Sequence, residues 1–374
     1  MGHPLVSWSI AQVVEGDGTV LRKMLLTAAG AAVVAVAAAV PAFAGGTNGV
    51  PPLATPPEHV VQVPVSFTVH NTNQTPVPCA ADGRTYTVRG HIVAPEGALD
   101  HPDAATLYLH AVTLGEYYWN LDIPGYDYAD QQARNGHVSV IIDRLGYGSS
   151  DKPAGAGTCF GSEATVAHQI IGRLRAGDYH TDAATAAKFS RVYTAGSSVG
   201  GLIANVEAYS FHDTDGVINL SWGDVAATPF TAAQTADVVA RCLAGGDPDT
   251  PGYATFFDNA RDEFYFNSAG PEVRRAVPPL HVDPCGQIES VPAGIAADVL
   301  HLGEIDVPVL VMFGSADAVF GPPALAGKQE AARYVGSPEV TLDMIPDASH
   351  YPLFESRHLQ VVSDIDKWLD RRPS

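Results

Sequence analysis

A serine between glycines, at the end of a short β-branched run, is the first place in this sequence where chemistry could sit. Residues 191–201 read Arg-Val-Tyr-Thr-Ala-Gly-Ser-Ser-Val-Gly-Gly, a strand, a tight turn and the start of a helix with the spacing G-x-S-x-G of a nucleophile elbow. On such a turn the serine takes a strained backbone conformation, so the residues two before and two after it must lack bulk. Ser198 has Gly196 and Gly200 there, whereas Ser197 would have Ala195 and Val199. Ser198 is therefore the candidate nucleophile. A serine hydroxyl needs a base to take its proton, and the base needs a third group to fix its tautomer and stabilise its charged form. Downstream, Val309-Leu-Val-Met-Phe-Gly-Ser-Ala-Asp317 places an acid beyond a strand, and Ile345-Pro-Asp-Ala-Ser-His350 places a histidine beyond another, ahead of the last helix.

The elements that must position these residues follow from periodicity. Strands are expected at 60–69, 86–94, 106–111, 138–143, 192–195, 217–221, 309–313 and 340–345. A helix capped by Ser162 carries Ala164, Ala167, Ile171 and Leu174 at helical spacing and closes at Gly177. The last helix sets Leu359, Val362, Ile365 and Leu369 on one face. Strands alternating with helices imply a mostly parallel sheet covered on both sides. Some 80 residues between Gly223 and Val309 lack strand pattern but hold Phe230, Tyr253, Phe256, Phe257, Phe264, Tyr265 and Phe266, which as a set suit an apolar pocket.

From about Val60 onward these motifs resemble the α/β-hydrolase superfamily. The resemblance implies an α/β-hydrolase fold, with core segments 59–224 and 306–374 and a helical cap, 225–305, inserted between the sixth and seventh strands. It implies a triad in the order Ser198, Asp317, His350, with Asp224, just after Ser221-Trp222-Gly223, as the alternative acid. The oxyanion hole would use the backbone N–H of Val199 and of Val112, the latter in His110-Ala111-Val112 where relatives carry His-Gly. His110 itself would be a structural hydrogen-bonding residue. The run from Asp143 to Pro153 resembles the superfamily's D-x-x-G-x-G-x-S-D-x-P turn and would be architectural. Serine at the elbow, rather than aspartate, excludes the dehalogenase and epoxide hydrolase branches. Carboxylic ester or lactone hydrolysis through an acyl-enzyme is the expected activity, on a small apolar substrate and with neither cofactor nor metal. Proline iminopeptidase-like chemistry on the same residues is the alternative. A non-catalytic binding protein on this fold is the other one.

Composition bounds the partners. The chain has 374 residues, 46% hydrophobic and 17% charged, with a formal net charge of −20. That is ample for a buried sheet and makes nucleic acid and anionic lipid poor partners. Arg22-Lys23, the apolar run from Leu25 to Ala44 and its Ala42-Phe43-Ala44 ending read as a secretory signal cut after Ala44, with Val20 or Met24 as the initiator. An uncleaved membrane anchor is the alternative to cleavage. After cleavage no stable membrane association is expected, and residues 45–58, rich in proline, read as a lead-in. Secretion suits the four cysteines, which lack a C-x-x-C zinc pair and allow three pairings. Cys79–Cys159 with Cys242–Cys285 is preferred, because the second pair lies within one inserted segment.

Overall fold

The computed structural model describes residues 59–372; the expected signal segment and the proline-rich lead-in lie outside them. Nine strands form one sheet in the order β9-β8-β7-β6-β3-β4-β2-β1-β5. They are β1 (Val60–His70), β2 (Thr85–Pro95), β3 (Ala104–Leu109), β4 (Ser139–Asp143), β5 (His180–Thr181), β6 (Arg191–Ser197), β7 (Val217–Leu220), β8 (Val309–Gly314) and β9 (Val340–Ile345). From β4 to β9 every neighbouring pair is parallel, while β1, β2 and β5 attach antiparallel at one side. The central strands β4, β7 and β8 are buried along their whole length, as a parallel sheet covered on both faces requires. The mostly parallel α/β architecture expected from the sequence is thus the one observed.

Three local expectations shift. Strand β3 stops at Leu109 rather than running to Ala111. Its register pairs Leu109 with Gly196, and the paired strand turns away at Ser198, so the ladder runs out. Helix α2 (Phe160–Ala176), which follows the short helix α1 (Tyr128–Arg134), is capped by Cys159 and not by Ser162. Ser162 sits at the third helical position, where its hydroxyl accepts the Cys159 N–H at 3.0 Å and so supplies the returning half of a capping box. Gly177 closes the helix in the left-handed conformation, φ 68°. In the last helix, α9 (His358–Asp370), Leu359 is exposed, and the buried face is made by Val361, Ile365 and Trp368 with Val362 and Leu369 beside them.

The segment without strand pattern supplies α4 (Pro229–Leu243), α5 (Arg261–Tyr265), α6 (Pro271–Ala276) and α7 (Cys285–His301), with two minimal strand pairs between them. Because β5 adds a strand ahead of it, the insertion falls between β7 and β8. Helix α7 is built into the body of the protein beside α3 (Val199–Phe211): Ser290 Oγ accepts the Phe160 N–H at 3.1 Å, and Asn205 of α3 donates to Asp298 at 3.0 Å. Both expected disulfides are present, Cys79–Cys159 and Cys242–Cys285. The second joins the end of α4 to the start of α7. Among the described residues no helix is long and apolar enough to cross a membrane.

A buried carboxylate cluster ties α7 to the sheet and to α8 (Pro323–Ala331). Asp224, Asp298 and Glu330 each offer an oxygen within 4.8 Å of the others. Trp222 Nε1 donates to both Asp224 and Asp298 at 3.3 Å, and Arg333 pairs with Asp224 at 2.9 Å. One arginine against three acids leaves negative charge in excess. Burial, reinforced by the charge of Asp224, pushes the Glu330 carboxyl up to about 8.

Two outcomes follow from these features. Denatured, unreduced protein should carry no titratable thiol, and removing Cys242–Cys285 by paired serine substitution should lower unfolding free energy by about 2–5 kcal/mol. Two or more reactive thiols would refute the pairing. Glu330 is protonated more readily in the fold than in the unfolded chain, where 4.5 is the ordinary value. The stability it contributes is therefore complete below that pH and is lost as pH rises towards about 8. Glu330→Gln should flatten the fall in melting temperature between pH 5 and pH 8, as scanning calorimetry of the two proteins can check.

Candidate active site

The turn between β6 and α3 puts its strain on Ser198, at φ 52° and ψ −124°. Non-glycine residues rarely take positive φ, and Ser197 does not; it ends the strand with its hydroxyl fully buried. The flanking glycines are there for space. A Cβ on Gly196 would overlap the Gly200 carbonyl, and one on Gly200 would overlap the carbonyls of Leu109 and His110. The second contact brings the end of β3 against the start of α3. The loop carrying Val112 is thereby drawn beside the serine turn. Among the described residues neither the Val199 nor the Val112 N–H finds an acceptor in the protein; the Val199 N–H is at the amino end of α3, where the helix dipole favours negative charge.

His350 and Asp317 are brought together. His350 Nδ1 lies 2.9 Å from Asp317 Oδ2, with both side chains fully buried. The other carboxylate oxygen accepts the N–H groups of Val319 (2.7 Å) and Phe320 (3.3 Å), so Asp317 is held as an acceptor on both sides. With Nδ1 carrying the shared proton, His350 Nε2 is left as a lone pair; it is buried and has no hydrogen-bond partner among the described residues. Asp224 is not at this histidine. It belongs to the carboxylate cluster, paired with Arg333.

His110 has the structural role expected of it. Its Nε2 accepts the Arg144 N–H at 3.0 Å and its Nδ1 donates to the Ala111 carbonyl at 2.8 Å. Burial, with Arg144 alongside, pushes its pKa well below the usual histidine range. The turn from Asp143 to Pro153 is likewise architectural. The Asp143 carboxylate accepts from the N–H groups of Ser149 (2.7 Å) and Glu116 (3.0 Å), and a Cβ on Gly148 would overlap it.

Two buried acids that sequence reasoning left without a role hold the loops of the site. Asp283, just before α7, accepts the Thr113 N–H (2.8 Å), the Tyr147 hydroxyl (2.9 Å) and the Phe256 N–H (3.2 Å). It thereby fixes the loop of Val112, where Thr113 sits at φ 60°. Glu355 accepts the N–H groups of Asn267 (2.7 Å), Ser268 (2.6 Å) and Ser349 (3.3 Å), joining the inserted segment to the loop of His350. These partners lie 170, 88 and 87 residues apart for the Thr113, Asn267 and Ser268 contacts, and no local spacing could have signalled them.

The aromatic residues of the insertion do pack towards the site. Phe264 stacks on His350 with ring centres 5.0 Å apart, Phe257 stacks on Phe264 at 3.6 Å, and Phe230 on Phe257 at 5.7 Å. Tyr253 is turned elsewhere, its hydroxyl on the Pro153 carbonyl at 2.6 Å. Ser198 is 5% exposed and His350 0%, and Phe264 covers the imidazole ring.

Comparison with known proteins gives a consistent picture. No curated protein matches the chain by sequence. A solved thermophilic esterase from Thermogutta terrifontis, bound to malate, is similar at 18% identity with a TM-score of 0.57, over 82% of this chain and 98% of that one. A monoacylglycerol lipase from Paleococcus ferrophilus is similar at 17% identity with a TM-score of 0.54, over 72% of this chain and 96% of that one. At such identities the likeness speaks to the fold alone. The sequence model of the Alpha/beta hydrolase family matches residues 106–365, which span β3, the serine turn, the insertion and the loops of Asp317 and His350. With most of its length accounted for in this way, the chain belongs to the alpha/beta hydrolase family.

Proposed function

We propose that the protein is a serine hydrolase that cleaves a carboxylic ester or lactone through an acyl-enzyme, with Ser198 as nucleophile, His350 as base and Asp317 as its orienting acid. The observation that carries this reading is the buried His350–Asp317 pair at 2.9 Å with Nε2 left unpartnered. Nε2 is the atom that must receive the serine proton. Ser198 Oγ attacks the carbonyl carbon while its proton passes to His350 Nε2. The carbonyl oxygen takes up the negative charge, and the N–H groups of Val199 and Val112 donate to it. As the intermediate collapses, His350 returns the proton to the departing alkoxide and leaves an acyl group on Ser198. Water then attacks the acyl carbon, giving its proton to Nε2, and the acid is released as Ser198 recovers that proton. Asp317 stabilises the imidazolium in both steps without accepting its proton.

The layer of Phe230, Phe257 and Phe264 supports an apolar substrate, which would pack against Phe264 beside His350. Export through the signal segment ending at Ala44 belongs to the same proposal, and the two disulfides support it, since such bonds persist in oxidising compartments.

An organophosphonate probe should modify Ser198 and leave Ser197 untouched. Peptide mass mapping decides this, and an adduct on Ser197, or none, overturns the assignment. Asp317→Asn keeps the side chain's size but removes the charge that the imidazolium needs. Turnover of a chromogenic short-chain ester should fall at least about a hundredfold, given that the comparable change in a serine protease costs about 10⁴. Asp224→Asn should cost much less, since Asp224 faces Arg333. If Asp224→Asn is the more damaging change in a folded protein, Asp317 is not the acid.

A further inference from the structure

We propose that His168, Glu207 and Asp213 form a binding site for one divalent first-row transition-metal cation, zinc in class, where α2 meets the carboxyl end of α3. One donor atom from each residue lies within 4.8 Å of the other two. The site is separate from the serine turn: Ser198 precedes the first residue of α3, and Glu207 lies in the helix's third turn.

Glu207 is the observation that points to a ligand. It is 0% exposed, no donor among the described residues reaches either carboxylate oxygen, and the group within hydrogen-bond reach is another acid, Asp213. A buried carboxylate is tolerated only when paired, bound to a cation or neutralised. The nearest cationic side chain is committed elsewhere. Arg175 donates to the carbonyls of Ser190 (2.6 Å) and Asp213 (2.7 Å) and to the Asp215 carboxylate (2.6 Å). It makes no ion pair with Glu207, and its Nε, also buried, reaches no acceptor. Asp213 Oδ1 is a further buried oxygen without a partner. Burial, then a hydrogen bond to Asp213 and that acid's charge, raise the Glu207 pKa well above the usual carboxylate range, so without a cation Glu207 keeps its proton.

His168 supplies what an acidic cluster alone lacks. Its Nδ1 lies 2.8 Å from Asp213 Oδ2, and its ring stacks on Phe211 with centres 4.0 Å apart and planes 10° apart, which fixes its aim. The side chain is 35% exposed and gives an ion a way in. Zinc binds imidazole nitrogen and carboxylate oxygen at about 2.0–2.2 Å, so ligand atoms in a tetrahedral site stand about 3.3 Å apart. Side-chain rotations would bring the three donors from their present spacing to that one, with water as the fourth ligand. Mixed nitrogen and oxygen donors favour such ions over calcium or magnesium. Two carboxylates would balance the ion's charge, and binding would release the Glu207 proton. No cysteine pair or histidine spacing in the sequence announces this site, and no metal was expected from the sequence.

The test uses the full chain without a histidine tag, freed of metal by chelator and titrated with zinc chloride by calorimetry, with metal content read by mass spectrometry. One equivalent should bind saturably and raise the melting temperature. Glu207→Gln and, at the half-exposed position, His168→Asn should each weaken binding at least tenfold and abolish the thermal shift. His137→Asn should do neither; His137 belongs to a different group with Asp366 and Asp370 and serves as the control for adventitious surface binding. No saturable binding, or binding that survives both site variants, overturns the proposal. If Glu207→Gln raises stability with zinc having no effect on either protein, the two acids share a proton instead, and the proposal likewise fails.

Discussion

The positive φ of Ser198 is the constraint on which the rest of this structure depends. A serine in that conformation costs on the order of 1–3 kcal/mol and persists only where its surroundings over-determine it. Here the Ser198 N–H is bonded to the Leu220 carbonyl at 2.7 Å, the helix α3 starts at the next residue, and β3 ends against Gly200. Two strands of the parallel sheet, β3 and β7, and helix α3 therefore meet at this turn. The same close approach that demands glycine at positions 196 and 200 also brings the Val112 loop next to the serine. Strain and proximity have one cause.

Around that point, buried acids do the positioning. Asp317 fixes His350, Glu355 fixes the loop in which His350 sits, and Asp283 fixes the loop of Val112. Each has at least one oxygen taken up by backbone N–H groups, which stabilise a carboxylate away from water. Asp283 is still pushed up to about 6 by burial. Asp283 and Glu355 also draw the inserted segment onto the core. The aromatic layer over His350 is therefore anchored through the hydrogen bonds that shape the site, and a movement of the insertion would be felt at both loops.

Elsewhere the acids are less well satisfied, and this distinguishes two further regions. In the cluster of Asp224, Asp298 and Glu330 the donors are Trp222, Asn205, Tyr334 and Arg333, enough to leave a proton as the remaining means of balancing the charge. Glu207 has no such donors. Asp298 Oδ1 also lacks a partner, but every acid of that cluster has a donor on at least one oxygen, whereas Glu207 has none on either.

Much of this was legible in the chain. Parallel strands buried on both faces write themselves as apolar runs, and only glycine fits two residues either side of a strained turn, so the sheet and the choice of Ser198 over Ser197 as the strained residue could be read locally. The disulfide pairing followed from which cysteines share a segment. Helix details were less secure: Cys159 caps α2 because Ser162 bonds back to it, and Leu359 lies off the buried face of α9 because Trp368 sets that face. The order of motifs favoured Asp317 over Asp224 as the acid for His350, but the contact itself belongs to the tertiary structure. Asp317 and Asp224 both follow strands of the same sheet, so sequence position ranks them without bringing either carboxylate to the histidine. Strand order and the turn after β8 place one carboxylate 2.9 Å from His350 and leave the other facing Arg333. The His350–Asp317 contact spans 33 residues and the Thr113–Asp283 bond that shapes the Val112 loop spans 170, separations that only the folded chain closes.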